Sequence, residues 1–236
     1  MSRHGVWYEA ERRGSMELPQ LPTASGGGRM KALRRLGAQA GYVAAIVQAV
    51  AFTWYCIVVF SNEAHTNPIS WWLWFGETVV GFLIYADRTR DMYKWLAEAV
   101  ALVGVVAVAG YLAMQVFLGD ARVVLSTVES IDIVIAIAAI GMFVFWLLTR
   151  KKWGPGVSVW VFQIVLVLAI FPILRATYAN PATEPLWPWV LWTISFSFQF
   201  LCAVLRWDGY EPLVNPLNYT ITQGLVAWII WRSVAP

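Results

Sequence analysis

Six stretches of this chain contain no charged residue: Leu36–Asn62, Ala99–Gly119, Ile133–Thr149, Trp153–Leu174, Pro185–Leu205 and Pro212–Trp231. A seventh, Ile69–Ala86, is interrupted only by Glu77. Each is close to the length a helix needs to cross a hydrocarbon core of roughly 30 Å. None alternates in the manner of a barrel strand. In lipid, a backbone must satisfy its own hydrogen bonds, which leaves helices for segments of this kind. The balance of residues agrees, at 59% hydrophobic and 13% charged, where a soluble domain has about a quarter charged. The expectation is an all-α membrane protein with seven transmembrane helices.

The placement of charge gives orientation. The N-terminal arm holds seven basic residues (Arg3, Arg12, Arg13, Arg29, Lys31, Arg34, Arg35). The same side gains Arg88, Arg90, Lys94, Arg150, Lys151, Lys152 and Arg206, against Arg122, Arg175 and Arg232 on the other. Fourteen against three is a positive-inside pattern. It predicts a multi-pass protein of the cell (inner) membrane, with its N-terminus cytoplasmic and its C-terminus outside. The net charge of +3 needs no nucleic acid to explain it. Residues 1–37 read as a disordered cytoplasmic arm without an apolar signal core, and Met16 or Met30 would serve as a start as well as Met1.

Other chemistry finds no footing. Cys56 and Cys202 fall in apolar helices with no metal spacing. The two histidines, His4 and His65, sit in the arm and a loop. No lysine lies in the seventh helix and no phosphate-binding glycine loop is present. The sequence therefore calls for no cofactor, no metal and no enzyme activity. Its partners are the lipid bilayer and a small polar solute, and self-association into a homo-oligomer is left open.

An internal repeat organises the helices. SWWLW at 70–74 returns as PWVLW at 188–192. Trp71, Leu73 and Trp74 match Trp189, Leu191 and Trp192 at an offset of 118, which holds through Phe82–Leu83 against Phe200–Leu201 and on to Arg88 against Arg206. Gln48 matches Gln163 at an offset of 115, the difference falling in an outer loop. Three helices end on the opposite side from where they began, so a fourth must restore orientation before a parallel second copy. The expected plan is a first three-helix repeat at 38–118, a linker helix at 119–152 and a second repeat at 153–236. Parallel-repeat transporters place their site between such halves, near the bilayer midplane.

The residues Pro68-Ile-Ser-Trp71-Trp-Leu-Trp74 and Pro185-Leu-Trp-Pro188-Trp189-Val-Leu-Trp192, with Gln48 and Gln163, resemble the PQ-loop superfamily, which includes the SWEET and PnuC-like vitamin transporters. The family's Pro-Gln pair stands here as Val47-Gln48 and Phe162-Gln163. The resemblance implies a 3+1+3 SWEET-like fold, alternating access to a small solute, and a role for an asparagine in the last helix, for which Asn218 is the candidate.

The residues themselves suggest where a solute would sit. Spacing of three puts Trp71 with Trp74, and Trp189 with Trp192, on single helix faces, and aromatic walls suit flat or sugar-like ligands. An interfacial belt is the plainer reading of tryptophans. The candidate solute-binding residues are Trp74, Trp192, Asn218, Gln163, Gln48 and Gln199. Glu77 is the candidate coupling group, because a carboxyl inside a membrane helix costs about 2.5–3.5 kcal/mol and is seldom left facing lipid. Its matched position is Ser195. An interhelical hydrogen bond would serve as well. Pro172 breaks a helical hydrogen bond and is a candidate hinge. Glu98 is read as reaching cytoplasmic water, and Glu129 and Asp132 as outer-side groups. The function expected is transport of a sugar-, nucleoside- or vitamin-like solute. The alternative is a non-transporting seven-helix receptor or assembly partner with the same fold.

Overall fold

The computed structural model describes residues 26–88, 91–119, 124–207 and 209–234. Most of the expected arm, up to residue 25, and the side chain of Arg88 lie outside the described set. All regular structure among the described residues is helical: α1 Gly26–Phe60, α2 Pro68–Arg88, α3 Met92–Leu118, α4 Ser130–Ala179, α5 Leu186–Leu205 and α6 Glu211–Val234, with a 3₁₀ turn at Pro181–Thr183. Residues 26–37, expected in the arm, are helical, and Met30–Arg35 is a run of good helix formers.

The ends of these helices follow local chemistry. α1 stops before Asn62, whose φ of 58° is one that asparagine tolerates. α2 opens on a proline, with Asn67 Oδ1 accepting from the Ile69 amide at 3.0 Å. Asp91 caps α3 through the Tyr93 amide, and Glu129 with Asp132 forms a reciprocal capping box on α4.

α4 spans 50 residues, yet it is not a straight rod. Asp132 and Arg175 are 43 residues apart, about 65 Å along a straight helix. Arg175 Nη2 nevertheless lies 2.6 Å from Asp132 Oδ2. Val165 also shares a cavity wall with Ala136 and Phe143. The chain must double back between these arms. The linker and the first helix of the expected second repeat are thus two antiparallel arms of one hairpin.

α1, α3 and α5 are long and apolar enough to cross a membrane, and the two arms of α4 contribute shorter apolar helices at Ser130–Phe145 and Gln163–Ala179. α1 packs on α3 and α5; α3 also packs on α2, and α5 on α6; α2 and α6 both meet α4. Two glycines set the closest approaches. A side chain at Gly41 would run into the Tyr93 carbonyl, drawing α1 and α3 together, and one at Gly104 would run into the Phe52 ring.

Polar ties close both ends of the bundle. At one end Arg175 pairs with Asp132 and Glu129, while Asn67 Nδ2 donates to Asp132 at 2.9 Å and to the Thr127 carbonyl at 3.0 Å. At the other, Arg206 pairs with Asp91, donates to the Arg34 carbonyl at 2.6 Å and stacks 4.7 Å from the Tyr93 ring centre.

Candidate functional site

The two aromatic words meet. Trp71, Trp74, Trp189 and Trp192 are all buried, at 1%, 4%, 0% and 2% exposure, so none belongs to an interfacial belt. Their geometry is nearly the same twice over. Within each helix the ring centres are 5.1 Å apart, at 86° for Trp71–Trp74 and 84° for Trp189–Trp192. Across the seam, Trp74–Trp189 measures 5.9 Å and Trp71–Trp192 measures 6.1 Å. α1 fills the space between, with Tyr55 4.9 Å from Trp71 and 5.1 Å from Trp192, and Phe52 5.0 Å from Trp192. Edge-on and tilted contacts of this kind each contribute about 0.5–1.5 kcal/mol beyond area burial.

The matched tryptophans at the start of each word are anchored alike. Trp71 Nε1 donates to Thr66 Oγ1 at 2.9 Å, and Trp189 Nε1 to Glu184 Oε2 at 3.1 Å, each acceptor five residues upstream. Glu184 also takes the Tyr55 hydroxyl at 2.9 Å. Burial pushes its carboxyl up to about 7, against the opposing hydrogen bonds of Thr66, Tyr55 and Trp189. The backbones of the two loops are joined directly, His65 N–H donating to the Thr183 carbonyl at 3.2 Å.

Below this seam is a hollow of about 20 Å³, room for a single water. Gln48, Trp74, Thr78, Trp192, Tyr219 and Gln223 are among its walls. Four of these carry a buried polar atom without a hydrogen-bond partner among the described residues: Trp74 Nε1, Trp192 Nε1, Gln48 Oε1 and Gln223 Oε1. Two are donors and two are acceptors. Such groups are uncommon, and each costs about 1–3 kcal/mol when left unmade.

The structure divides the other expected site residues between neighbouring networks. Gln163 and Asn218 do not line the hollow; Asn218 Nδ2 donates to Gln163 Oε1 at 2.7 Å, and Gln163 Nε2 to Asn215 Oδ1 at 3.3 Å. Gln199 donates to the Lys94 carbonyl at 3.0 Å and to Glu98 Oε1 at 3.1 Å, and Asn215 reaches the same oxygen at 2.8 Å. Glu98 is therefore tied into the bundle at 6% exposure and does not reach water. Pro172 lies buried in the second arm of α4, and the next amide, of Ile173, donates to Ser70 Oγ on α2 at 3.3 Å. Glu77 is 4% exposed and accepts from the Tyr219 hydroxyl at 2.6 Å. Its matched residue Ser195 donates to the Ala44 carbonyl at 2.8 Å.

Glu184, Thr66 and Tyr55 were not singled out from sequence. A signal existed for the first two, since Glu184 stands before Trp189 as Thr66 stands before Trp71, both at the 118 offset. The different chemistry of threonine and glutamate concealed it. No family model, curated protein or solved structure matches the chain.

Proposed function

We propose that the protein is a membrane transporter of a small polar solute, built as two parallel three-helix repeats around a linker helix and held here with its centre closed. The partnerless donors and acceptors around the hollow carry this reading. Two indole N–H groups from matched positions and two amide oxygens suit a hydroxyl- or amide-bearing molecule, and no described residue pairs with them. The paired tryptophan geometry supports the repeat, as does the neighbour order. α1–α3–α2 in the first half is answered by the second arm of α4, then α6, then α5, with Gln163 bonded to α6. A hollow of one water's size means that a sugar- or vitamin-sized solute enters only as the halves part, which is what alternating access requires. In this reading Trp74, Trp192 and Gln48 touch the solute. Gln163, Asn218 and Gln199 brace the helices around it, Pro172 flexes, and Glu77 couples.

Uptake into sealed vesicles, across a panel of sugars, nucleosides and vitamin-like solutes, tests the proposal. Saturable flux of at least one solute is expected, reduced tenfold or more by Trp74→Ala with Trp192→Ala. Absence of flux for the whole panel, from protein shown to be folded, would overturn it. Glu77→Gln should flatten the pH dependence of that flux; an unaltered profile removes the coupling role.

The closed seam favours a second reading, a receptor or assembly partner that never alternates. In a cysteine-free background, Thr78→Cys should then react with a polar thiol reagent from neither side, whereas a transporter exposes it to each side in turn.

A further inference from the structure

Glu77, which accepts the Tyr219 hydroxyl, also lines a space apart from the hollow. Between α2 and the first arm of α4 is a cavity of about 310 Å³, at the small end of ligand-binding sites. Trp72, Leu73, Ile140 and Phe143 form its apolar walls, and Glu77, one of whose carboxyl oxygens is taken by Tyr219, is the one ionisable residue among its described lining residues. Ile140 is 56% exposed, and along the same arm Val134 and Ile137 are 58% and 66% exposed. The cavity thus adjoins an apolar surface that faces hydrocarbon in a bilayer. A carboxyl set in such a wall gains by hydrogen bonding and loses heavily against bare hydrocarbon.

We propose that this cavity binds a single-chain or compact apolar alcohol, admitted sideways from the bilayer, with its hydroxyl against Glu77. A hydroxyl both donates and accepts, so it pairs with the carboxyl whether or not that group carries a proton. An alkane would leave the carboxyl facing methylene groups. A carboxylate or phosphate head would bring like charge against Glu77 in its ionised state, whereas the hydroxyl pairs in either state. The volume is too small for a two-chain phospholipid. Gly76 marks the wall where bulk can be added, because a Cβ there meets nothing within 4 Å. The site shares Glu77 with the transport reading, but its occupation requires no parting of the tryptophan seam.

The test is photolabelling of the full chain in lipid nanodiscs with a medium-chain alcohol carrying a mid-chain diazirine, beside the same molecule without its hydroxyl. Adducts mapped by mass spectrometry should fall on residues 72–73 and 136–143 and be displaced by unlabelled alcohol. They should be about tenfold weaker with the alkane, the effect of one hydrogen bond of about 1.4 kcal/mol in lipid. Gly76→Leu should lower the alcohol adduct about tenfold at unchanged melting temperature. Equal labelling by alkane and alcohol would remove the role of Glu77. Labelling spread evenly over lipid-facing residues such as Ile57, Phe117 and Trp228 would remove the site. If Gly76→Leu fails to fold, the alcohol-to-alkane ratio on the unaltered protein decides.

Discussion

Glu184 concentrates the chemistry of the loop end of the seam. It is 5% exposed and holds Tyr55 of α1 and Trp189 of α5 on one oxygen. Its carboxyl stands at about 7 in the folded protein against an ordinary 4.5. Between these values the folded state keeps a proton that the unfolded state has released, so stability falls as pH rises through this window. The contribution is fully present below about 4.5 and gone above about 7, on the order of 3 kcal/mol before solvent relaxation is allowed for. Thermal melting in detergent should therefore drop between about pH 4.5 and pH 7, and Glu184→Gln should flatten that slope. A slope unchanged by the substitution would place the titration elsewhere. At this scale the sequence was partly legible: the tryptophans and Glu77 announce themselves by cost and spacing. Which polar groups bond one another was not, because Gln163 and Asn218 are 55 residues apart and their pairing depends on how α4 meets α6.

Helix approach is set by small residues, and two substitutions test it. Gly41→Leu would force α1 away from the Tyr93 backbone, which cannot yield as a side chain can. Gly104→Val would displace the Phe52 ring from its place beside Trp192. Overpacking of this kind costs about 1–3 kcal/mol, and more where backbone is struck. Both variants should melt lower, Gly41→Leu the more so; a melting point equal to the parent's in either would contradict the packing described. The α4 hairpin has its own clasp. Removing Arg175 leaves Asp132, whose side chain is 0% exposed, without its counter-charge, at a cost of about 3–5 kcal/mol. Arg175→Met should thus be far more damaging than Arg175→Met combined with Asp132→Leu, as thermal denaturation of the two would reveal. The all-helical character and the apolar spans α1, α3 and α5 could be read from the chain, since charge gaps mark them. The antiparallel pairing of the two arms of α4 could not, because it depends on contacts between residues 43 positions apart, Asp132 and Arg175.

For the molecule as a whole, the arrangement is a closed seam with polar clasps at both ends and unsatisfied groups in the middle. If the halves part, they must do so one end at a time. Weakening one clasp should then bias which side opens. Arg206→Ala, which releases Asp91 and the Arg34 carbonyl, should raise labelling of a Thr78→Cys protein from the Arg206 side about tenfold while leaving the Arg175 side unchanged. Equal labelling from both sides would argue against a rocking motion.

The bond from His65 N–H to the Thr183 carbonyl joins two positions that correspond under the 118 offset. It runs one way only, for the Thr183 amide donates instead to Asn180. Next to it, Thr66 and Glu184 also correspond, and only one of them is an acid. Two identical chains brought together here would set two carboxyls face to face over the same tryptophan and tyrosine rings. A single fused polypeptide is free to keep one and discard the other. The lone acid at this junction is thus an asymmetry that a single polypeptide can keep and a pair of identical chains could not.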